Sequence, residues 1–340
     1  MIKKNDILDL TIEDLGVNGE GIGKVDGYTL FVKDGVIGDE VTVKVMKANK
    51  NFGFARLMEI NKPSKDRVTP RCSVARQCGG CQIQCLSYEE QLKFKQNKVY
   101  NNLVRIGGQD DFVMKDIIGM EEPFNYRNKA QFPVGIDKEG NIVSGFYAGR
   151  THSIIGIDSC DLGLKLDGRD INKEVMDIVK KFMTKYQIEP YNEVTHKGLV
   201  RHVLIRIGAK TKQIMVCTII NGRKLPNKDE LVEKLCKLEG MHSVSLNVNT
   251  NKSNVILGSK IINLYGPGYI EDYIGDVKFR ISPLSFFQVN PVQTEKLYNK
   301  ALEYADLSGN EIVWDLYCGI GSISLFLAKK AKKVLGVEIV

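Results

Sequence analysis

The sequence predicts a multidomain α/β and β protein: an N-terminal OB-like β-barrel, a central α+β domain with a cysteine cluster, and the start of a Rossmann-like sheet. Three observations carry this reading. Short apolar-alternating runs separated by glycines fill the first sixty positions. Three cysteines then fall within ten residues, at Cys72, Cys78 and Cys81. Near the C-terminus, Val313-Trp314-Asp315-Leu316-Tyr317-Cys318-Gly319-Ile320-Gly321 reads as an apolar strand emptying into a glycine-rich turn, with a helix pattern from Ser322 to Lys329.

Taken in order, residues 1–62 give strands at Ile7 to Ile12, Gly27 to Val32, Glu40 to Met46 and Phe54 to Ile60. Gly19-Glu20-Gly21-Ile22-Gly23 has no helix pattern after it and is read as a turn rather than a dinucleotide loop. Residues 63–281 form the central domain. It opens with a basic linker holding Pro63 and Pro70, then the cysteines, then a helix with a capping box from Ser87 to Glu90. That helix carries Leu92, Val99 and Leu103 on one side and stops at Gly107-Gly108. Strands follow at Ala130 to Ile136, Ile142 to Phe146, Val203 to Ile207, Ile214 to Ile219 and Val277 to Ile281, with helical patterns at Asp167 to Tyr186 and Lys228 to Leu238. Residues 282–340 open a third domain, whose first helix has Asn290 as cap and Pro291 in its first turn. A second strand, Lys333 to Val337, ends on Glu338, twenty-three residues after Asp315. An acid so placed can hold ribose hydroxyls, while the glycines let the backbone approach a ligand.

A chain of 340 residues with 43% apolar residues is a folded protein of two or three domains. No apolar run is long enough to span a membrane, and the N-terminus lacks a signal peptide's apolar core, so the expected place is the cytoplasm. The net charge is +7, and between Lys44 and Arg71 eight basic residues face only Glu59 and Asp66. Such an excess draws polyanions by counterion release, although a solvated basic face would look the same. Small barrels of this kind bind nucleic acid on a strand face.

Cys72, Cys78 and Cys81 follow the pattern C-x5-C-x2-C, with Gly79 and Gly80 between the last pair; Cys160 lies far downstream. Two thiolates two residues apart can face one metal centre, and a cytoplasmic chain argues against disulfides. Zinc and a [4Fe–4S] cluster both suit four thiolates, and Cys85 could replace one ligand. Cys217 and Cys236 read as core residues.

Together these pieces resemble one family. The barrel looks like a TRAM domain, and Cys72, Cys78, Cys81 and Cys160 match the family's [4Fe–4S] ligands. Phe286-Phe287-Gln288-Val289-Asn290 and Asp315 to Gly321 match its cofactor-site motifs. The chain is similar to the S-adenosylmethionine-dependent RNA uracil-5-methyltransferases of the TRAM and iron–sulfur type, which modify 23S ribosomal RNA. Because the transfer-RNA branch typically lacks barrel and cluster, the resemblance implies 23S ribosomal RNA as partner, with no protein partner. It implies that Gln288, Asp315, Tyr317, Gly319 and Gly321 bind S-adenosylmethionine and that Glu338 takes its ribose hydroxyls. Phe286 would stack near the target base, with Arg127 and Lys129 of Tyr126-Arg127-Asn128-Lys129 as RNA contacts. Asn128 departs from relatives that are often basic there. Read alone, Phe286 and Phe287 are core aromatics, Arg127 and Lys129 are solvated strand residues, and Arg201 and His202 are structural.

The family adds a cysteine thiolate to uracil C6, and the resulting enolate attacks the methyl group; a base then removes the C5 proton. The resemblance places that cysteine after further strands, beyond an Asp-Pro-Pro motif that this sequence does not contain. Cys318 sits in the cofactor turn and is read as structural. The expectation is therefore an incomplete sheet with an exposed edge and an inactive fragment with no catalytic residue of its own. A non-catalytic RNA-binding protein, or a methyltransferase acting on a transfer-RNA uridine, are the alternatives.

Overall fold

Alternating side chains in the first 62 positions build a closed five-stranded barrel from β1 (Ile7–Leu15), β2 (Gly21–Val25), β3 (Tyr28–Lys33), β4 (Glu40–Ala48) and β5 (Phe52–Lys62). The strand order is β1-β2-β3-β5-β4, with β3 and β5 parallel and the other pairs antiparallel. The computed structural model describes residues 2–149 and 151–339. These divide into two units, Met1–Glu121 with Tyr147–His152, and Glu122–Phe146 with Ser153–Val340.

In the first unit the inward residues Leu10, Ile12, Leu30, Val32, Val41, Val43 and Val45 form the barrel core. The Gly19–Gly23 run is not the expected turn throughout, because Gly21 and Gly23 lie in β2. A Cβ on Gly23 would stand 2.5 Å from Leu10 Cδ1 and 2.6 Å from the Thr11 carbonyl, so glycine is what lets β2 close against β1. Beyond the barrel, α1 (Tyr88–Asn101) starts where expected, with the Ser87 hydroxyl accepting from Glu90 N–H at 3.4 Å. It buries none of its residues, and Val99 and Leu103 are exposed, which corrects the expected apolar face. Its end widens into a π-helical turn over Asn102–Ile106 before Gly107.

The linker is anchored by charge. Asp39 is fully buried and accepts from Val36 N–H (2.7 Å), Ser64 N–H (2.9 Å) and the Arg67 guanidinium. Burial alone would raise this carboxyl, but the Arg67, Ser64 and Val36 donors together hold it below the usual carboxylate range.

The second unit is a seven-stranded sheet ordered β12-β11-β10-β9-β6-β7-β8. Its strands are β6 (Lys129–Ile136), β7 (Ile142–Tyr147), β8 (Ile154–Gly156), β9 (Val200–Ile207), β10 (Ile214–Ile220), β11 (Met241–Val248) and β12 (Lys260–Tyr265). Every residue of β9 and β10 is buried. On one face α2 (Ile171–Lys185) and α3 (Lys228–Cys236) pack Val175, Phe182, Leu231 and Leu235 onto Val203, Ile205 and Val216. On the other, Leu204, Met215 and Ile219 meet a second core. That core comes from β13 (Ile270–Ile274), β14 (Val277–Ile281), α4 (Pro291–Ala305) and α5 (Ser322–Leu327). A parallel pair, β15 (Ile312–Asp315) and β16 (Lys333–Gly336), flanks α5. Among the described residues no helix is long and apolar enough to cross a membrane.

The Asp39 arrangement generates a pH prediction. A carboxyl held low contributes stability above its unfolded pKa of about 4, and that contribution is lost as pH falls through the lower folded value. Denaturant titrations of the native chain should show an acid loss of stability below about pH 4 that an Asp39→Asn variant lacks. At neutral pH the variant should be less stable by about 3 kcal/mol, because Arg67 is left without its charge partner.

Candidate active site

Two chain segments of the second unit build the site. The first is the glycine turn. Asp315 ends β15 opposite Gly336 of β16, and the pairing continues through Val337 N–H to the Asp315 carbonyl (2.8 Å) and Cys318 N–H to the Val337 carbonyl (3.1 Å). Gly319 and Gly321 take left-handed φ values of +53° and +77°, which favour glycine. The turn closes with Gly321 N–H on the Cys318 carbonyl at 2.8 Å, and α5 follows. Asp315 accepts from the Ser324 hydroxyl at 2.6 Å, so the first turn of α5 fixes its carboxylate. Glu338 is exposed, and its Oε2 accepts from Gly319 N–H at 2.7 Å. A Cβ at Gly319 or Gly321 would meet nothing closer than 3.9 Å, so there is room beside the turn. Tyr317 is 88% exposed at its mouth. Two carboxylates thus flank a backbone open on one side, the donor and acceptor set that an amino-acid and ribose ligand requires.

The second segment is the loop from Ser285 to Asn290. It splits the expected aromatic pair: Phe287 is buried against Phe279 with ring centroids 5.6 Å apart, whereas Phe286 is 72% exposed. Phe286 is therefore no core residue. The loop is clamped from below by Asn128, whose backbone N–H donates to the Val289 carbonyl and whose side-chain amide donates to the Gln288 carbonyl, both at 3.0 Å. The sequence offered Asn128 only as a departure; its burial and these bonds give it a holding role. Arg206, unnoticed in the sequence, donates through Nη2 to the Ser285 carbonyl. Asn290 closes the loop by accepting from Gln293 N–H at 3.1 Å as the cap of α4. The loop and the turn share one core, since Phe287, Tyr298 and Phe326 pack together and Tyr298 OH lies 2.8 Å from the Ser322 hydroxyl.

Beside the loop, charge accumulates. Lys129 on β6 is the register partner of Arg206 on β9. Arg127 is exposed and donates to the Lys129 carbonyl at 3.2 Å. Burial lowers the Lys129 ammonium, and the Arg206 and Arg127 charges lower it further. Burial alone pushes Arg206 down to about 10. Among the described residues no carboxylate pairs with any of the three, so this is a cationic patch without an internal counter-charge. Arg201 instead donates to the carbonyls of Asn249 and Asn251, and burial, ahead of the Arg201 charge, pushes His202 down to about 4. Both hold structure.

The cysteines are divided between the two units. Cys72, Cys78 and Cys81 lie in the first unit and Cys160 in the second. Among the described residues no group of three or more His, Cys, Asp or Glu side chains is gathered to hold a metal ion, whether iron or zinc. Locally the loop is constrained: Cys78 is buried with its Sγ accepting from Gly80 N–H at 3.4 Å, and a Cβ on Gly79 would stand 2.9 Å from the Tyr147 carbonyl. Cys217 is a core thiol pushed up to about 11 by burial, and Cys85 is raised by the same cause. Cys318 packs against Gly336, where a Cβ would stand 2.9 Å from its sulfur.

Comparison with known proteins adds three findings. The TRAM domain family matches residues 3–58, and the tRNA (Uracil-5-)-methyltransferase family matches residues 88–340. An uncharacterized RNA methyltransferase of Clostridium tetani is 49% identical over 341 residues, spanning 100% of this chain and 72% of that protein. One from Bacillus cereus is 48% identical over 340 residues, spanning 100% of this chain and 73% of its own. Among solved structures, the tRNA (uracil-54, C5)-methyltransferase of Pyrococcus abyssi, in complex with S-adenosyl-L-homocysteine, matches with a TM-score of 0.76 and 26% identity, over 97% of this chain and 73% of that one. A family match running over 88–340 gives no support to the expected inactive fragment.

If Asn128 holds the loop, an Asn128→Ala variant should lose about 1–3 kcal/mol of stability, since it keeps the backbone bond to Val289 but leaves the Gln288 carbonyl without its side-chain donor in a buried place. Limited proteolysis should then cut faster between residues 282 and 290. An unchanged cleavage rate there would remove Asn128 from this role.

Proposed function

The chain belongs to the tRNA (uracil-5-)-methyltransferase family, and on that premise we propose that it methylates C5 of a uridine in 23S ribosomal RNA, using S-adenosylmethionine. The observation that carries the cofactor half is the glycine turn between Asp315 and Glu338, with both carboxylates fixed and room beside the backbone. S-adenosylmethionine, when bound, supplies an electrophilic methyl group. The chain's own residues bind and orient it: Asp315 and the 319–321 backbone hold the methionine part, Glu338 accepts from the ribose hydroxyls, and Gln288 and Tyr317 border it. Glu338 gives up its bond to Gly319 N–H as those hydroxyls arrive.

On the RNA side, the exposed Phe286 offers a ring face to a base taken out of its stack, and Arg127 and Lys129 offer charge to the adjoining phosphates. The uncompensated cationic patch supports this assignment, because a polyanion supplies the missing counter-charge. No cysteine described here is assigned as the nucleophile. Cys217 and Cys85 are buried thiols, and Cys318 is packed into the turn.

A transfer-RNA uridine is the second reading, favoured by the likeness to the Pyrococcus abyssi tRNA enzyme. That likeness covers 97% of this chain, so the barrel does not separate the two substrates. The [4Fe–4S] cluster rests on the C-x5-C-x2-C spacing and Cys160, supported by the Gly80 N–H bond to Cys78 and the glycine cradle at Gly79. No step of the reaction is routed through a cluster.

Labelled methyl from S-adenosylmethionine should appear in uracil C5 of unmodified 23S ribosomal RNA and not in transfer RNA; the reverse would establish the second reading. An Asp315→Ala variant should bind S-adenosylmethionine roughly 10- to 100-fold more weakly by calorimetry, the loss expected for a charged hydrogen-bond partner. Anaerobically purified chain should contain iron and acid-labile sulfide; zinc, or neither metal, would end the cluster assignment.

A further inference from the structure

Strands covered on both faces read as nearly continuous apolar runs, yet β9 carries Arg206, only 3% exposed. Its register partner on β10 is Met215, part of the core beneath Phe287. Arg206 therefore lies on the sheet face that carries the Ser285–Asn290 loop. A guanidinium offers several N–H donors. Nη2 donates to the Ser285 carbonyl, while Nε is buried and meets no acceptor. Native interiors rarely leave such a donor unmet. Holding the loop uses one corner of the group and explains no more of it.

Lys129 sits directly opposite on β6, half-buried and in the same unit. Side chains so paired project to one face, with Cβ atoms about 5 Å apart. Burial first, and the Arg206 charge after it, push the Lys129 ammonium down, and among the described residues no carboxylate acts on either group. Apolar residues at both positions would close the sheet at lower cost. Two cations side by side at the margin of a core are reconciled by an anion between them. The guanidinium fork matches two oxygens of a tetrahedral oxyanion, and the ammonium adds a point charge for a third. Ser285 is followed by the exposed Phe286, so the guanidinium facing the anion also anchors the ring.

We propose that Arg206 and Lys129 together bind one phosphate group of the RNA strand, adjoining the uridine that Phe286 receives. The inference rests on the methyltransferase reading for the strand being RNA, and it deepens that reading by giving the buried Arg206 a substrate contact. A phosphate here supplies Nε with its acceptor. One guanidinium then ties the strand and the Ser285 carbonyl together, which sets the target nucleotide in register with the loop. Phosphate contacts carry no sequence information, so this pair positions the strand and does not choose the base.

The test is fluorescence anisotropy of the full chain with a ten-nucleotide single-stranded RNA holding one central uridine. A series of the same strand replaces each phosphate in turn by an uncharged methylphosphonate. Lys129→Met and Arg206→Met should each weaken the unmodified strand about tenfold. Both losses should vanish on the same member of the series, the one whose neutral linkage falls in this site. The double variant should lower the slope of log K against log salt by about 0.7, one phosphate's share on a single strand. Losses that vanish on different linkages or on none, or a slope change of about 1.4, would overturn the single site. So would a native chain that binds no oligonucleotide. Should Arg206→Met fail to fold once Ser285 is released, Lys129→Met carries the test alone. Calorimetric binding of S-adenosylmethionine by Lys129→Met should match the native chain. A failure of methyl transfer with the shared linkage intact would sink the catalytic reading and leave this site standing.

Discussion

The burial of β9 on both faces is the constraint from which the catalytic half of this protein follows. Every residue from Val200 to Ile207 is excluded from water, so the strand must be covered twice. Helices α2 and α3 cover one face through Val203, Ile205 and Ile207. The other face is covered through Leu204 by the β13–β14 hairpin, the Phe287 anchor, α4 and α5. That second cover carries the Ser285–Asn290 loop and the glycine turn. Phe287 buries so that Phe286 is forced outward, and Phe326 buries so that the Gly319–Gly321 turn is held at the near end of α5. Arg206 belongs to the same strand and pins the loop at Ser285. Site geometry here is a by-product of satisfying one strand.

What sequence reading reached, and what it missed, divides along physical lines. Local signals were legible. Asn290 and Ser87 cap the helices they were expected to cap, and the strand–turn–helix around Gly319 forms with its two left-handed glycines. Strand β11 was invisible because its pattern misleads: Ser243, Ser245 and Asn247 are as buried as Val244 and Leu246. Asn247 is tolerated there because it exchanges hydrogen bonds with the Gly258 backbone, at 2.6 and 2.7 Å. Strand β2 was hidden for the opposite reason, since its glycines advertise a turn while close packing against Leu10 demands them. The strand–turn–helix–strand pattern made the placing of Asp315, Gly319, Gly321 and Glu338 around one turn readable. Arg206 and the holding role of Asn128 were not, because they act through residues some 80 and 160 positions away. The cysteines show the limit of spacing: a pattern places thiols on a loop, and only tertiary packing decides whether they face one point.

Charge gives the two units a common logic, although each solves it separately. Where folding needs a charge it supplies the partner, as Arg67 and Asp39 do beneath the linker. The cations around Lys129 are treated differently. Arg206 and Arg127 donate to the carbonyls of Ser285 and Lys129, which orient a cation without cancelling it. Placing such cations beside the exposed Phe286 costs stability, through repulsion among the former and hydration of the latter. A ligand with both negative charge and flat apolar faces offsets both costs at once, and an unpaired stretch of RNA has that composition.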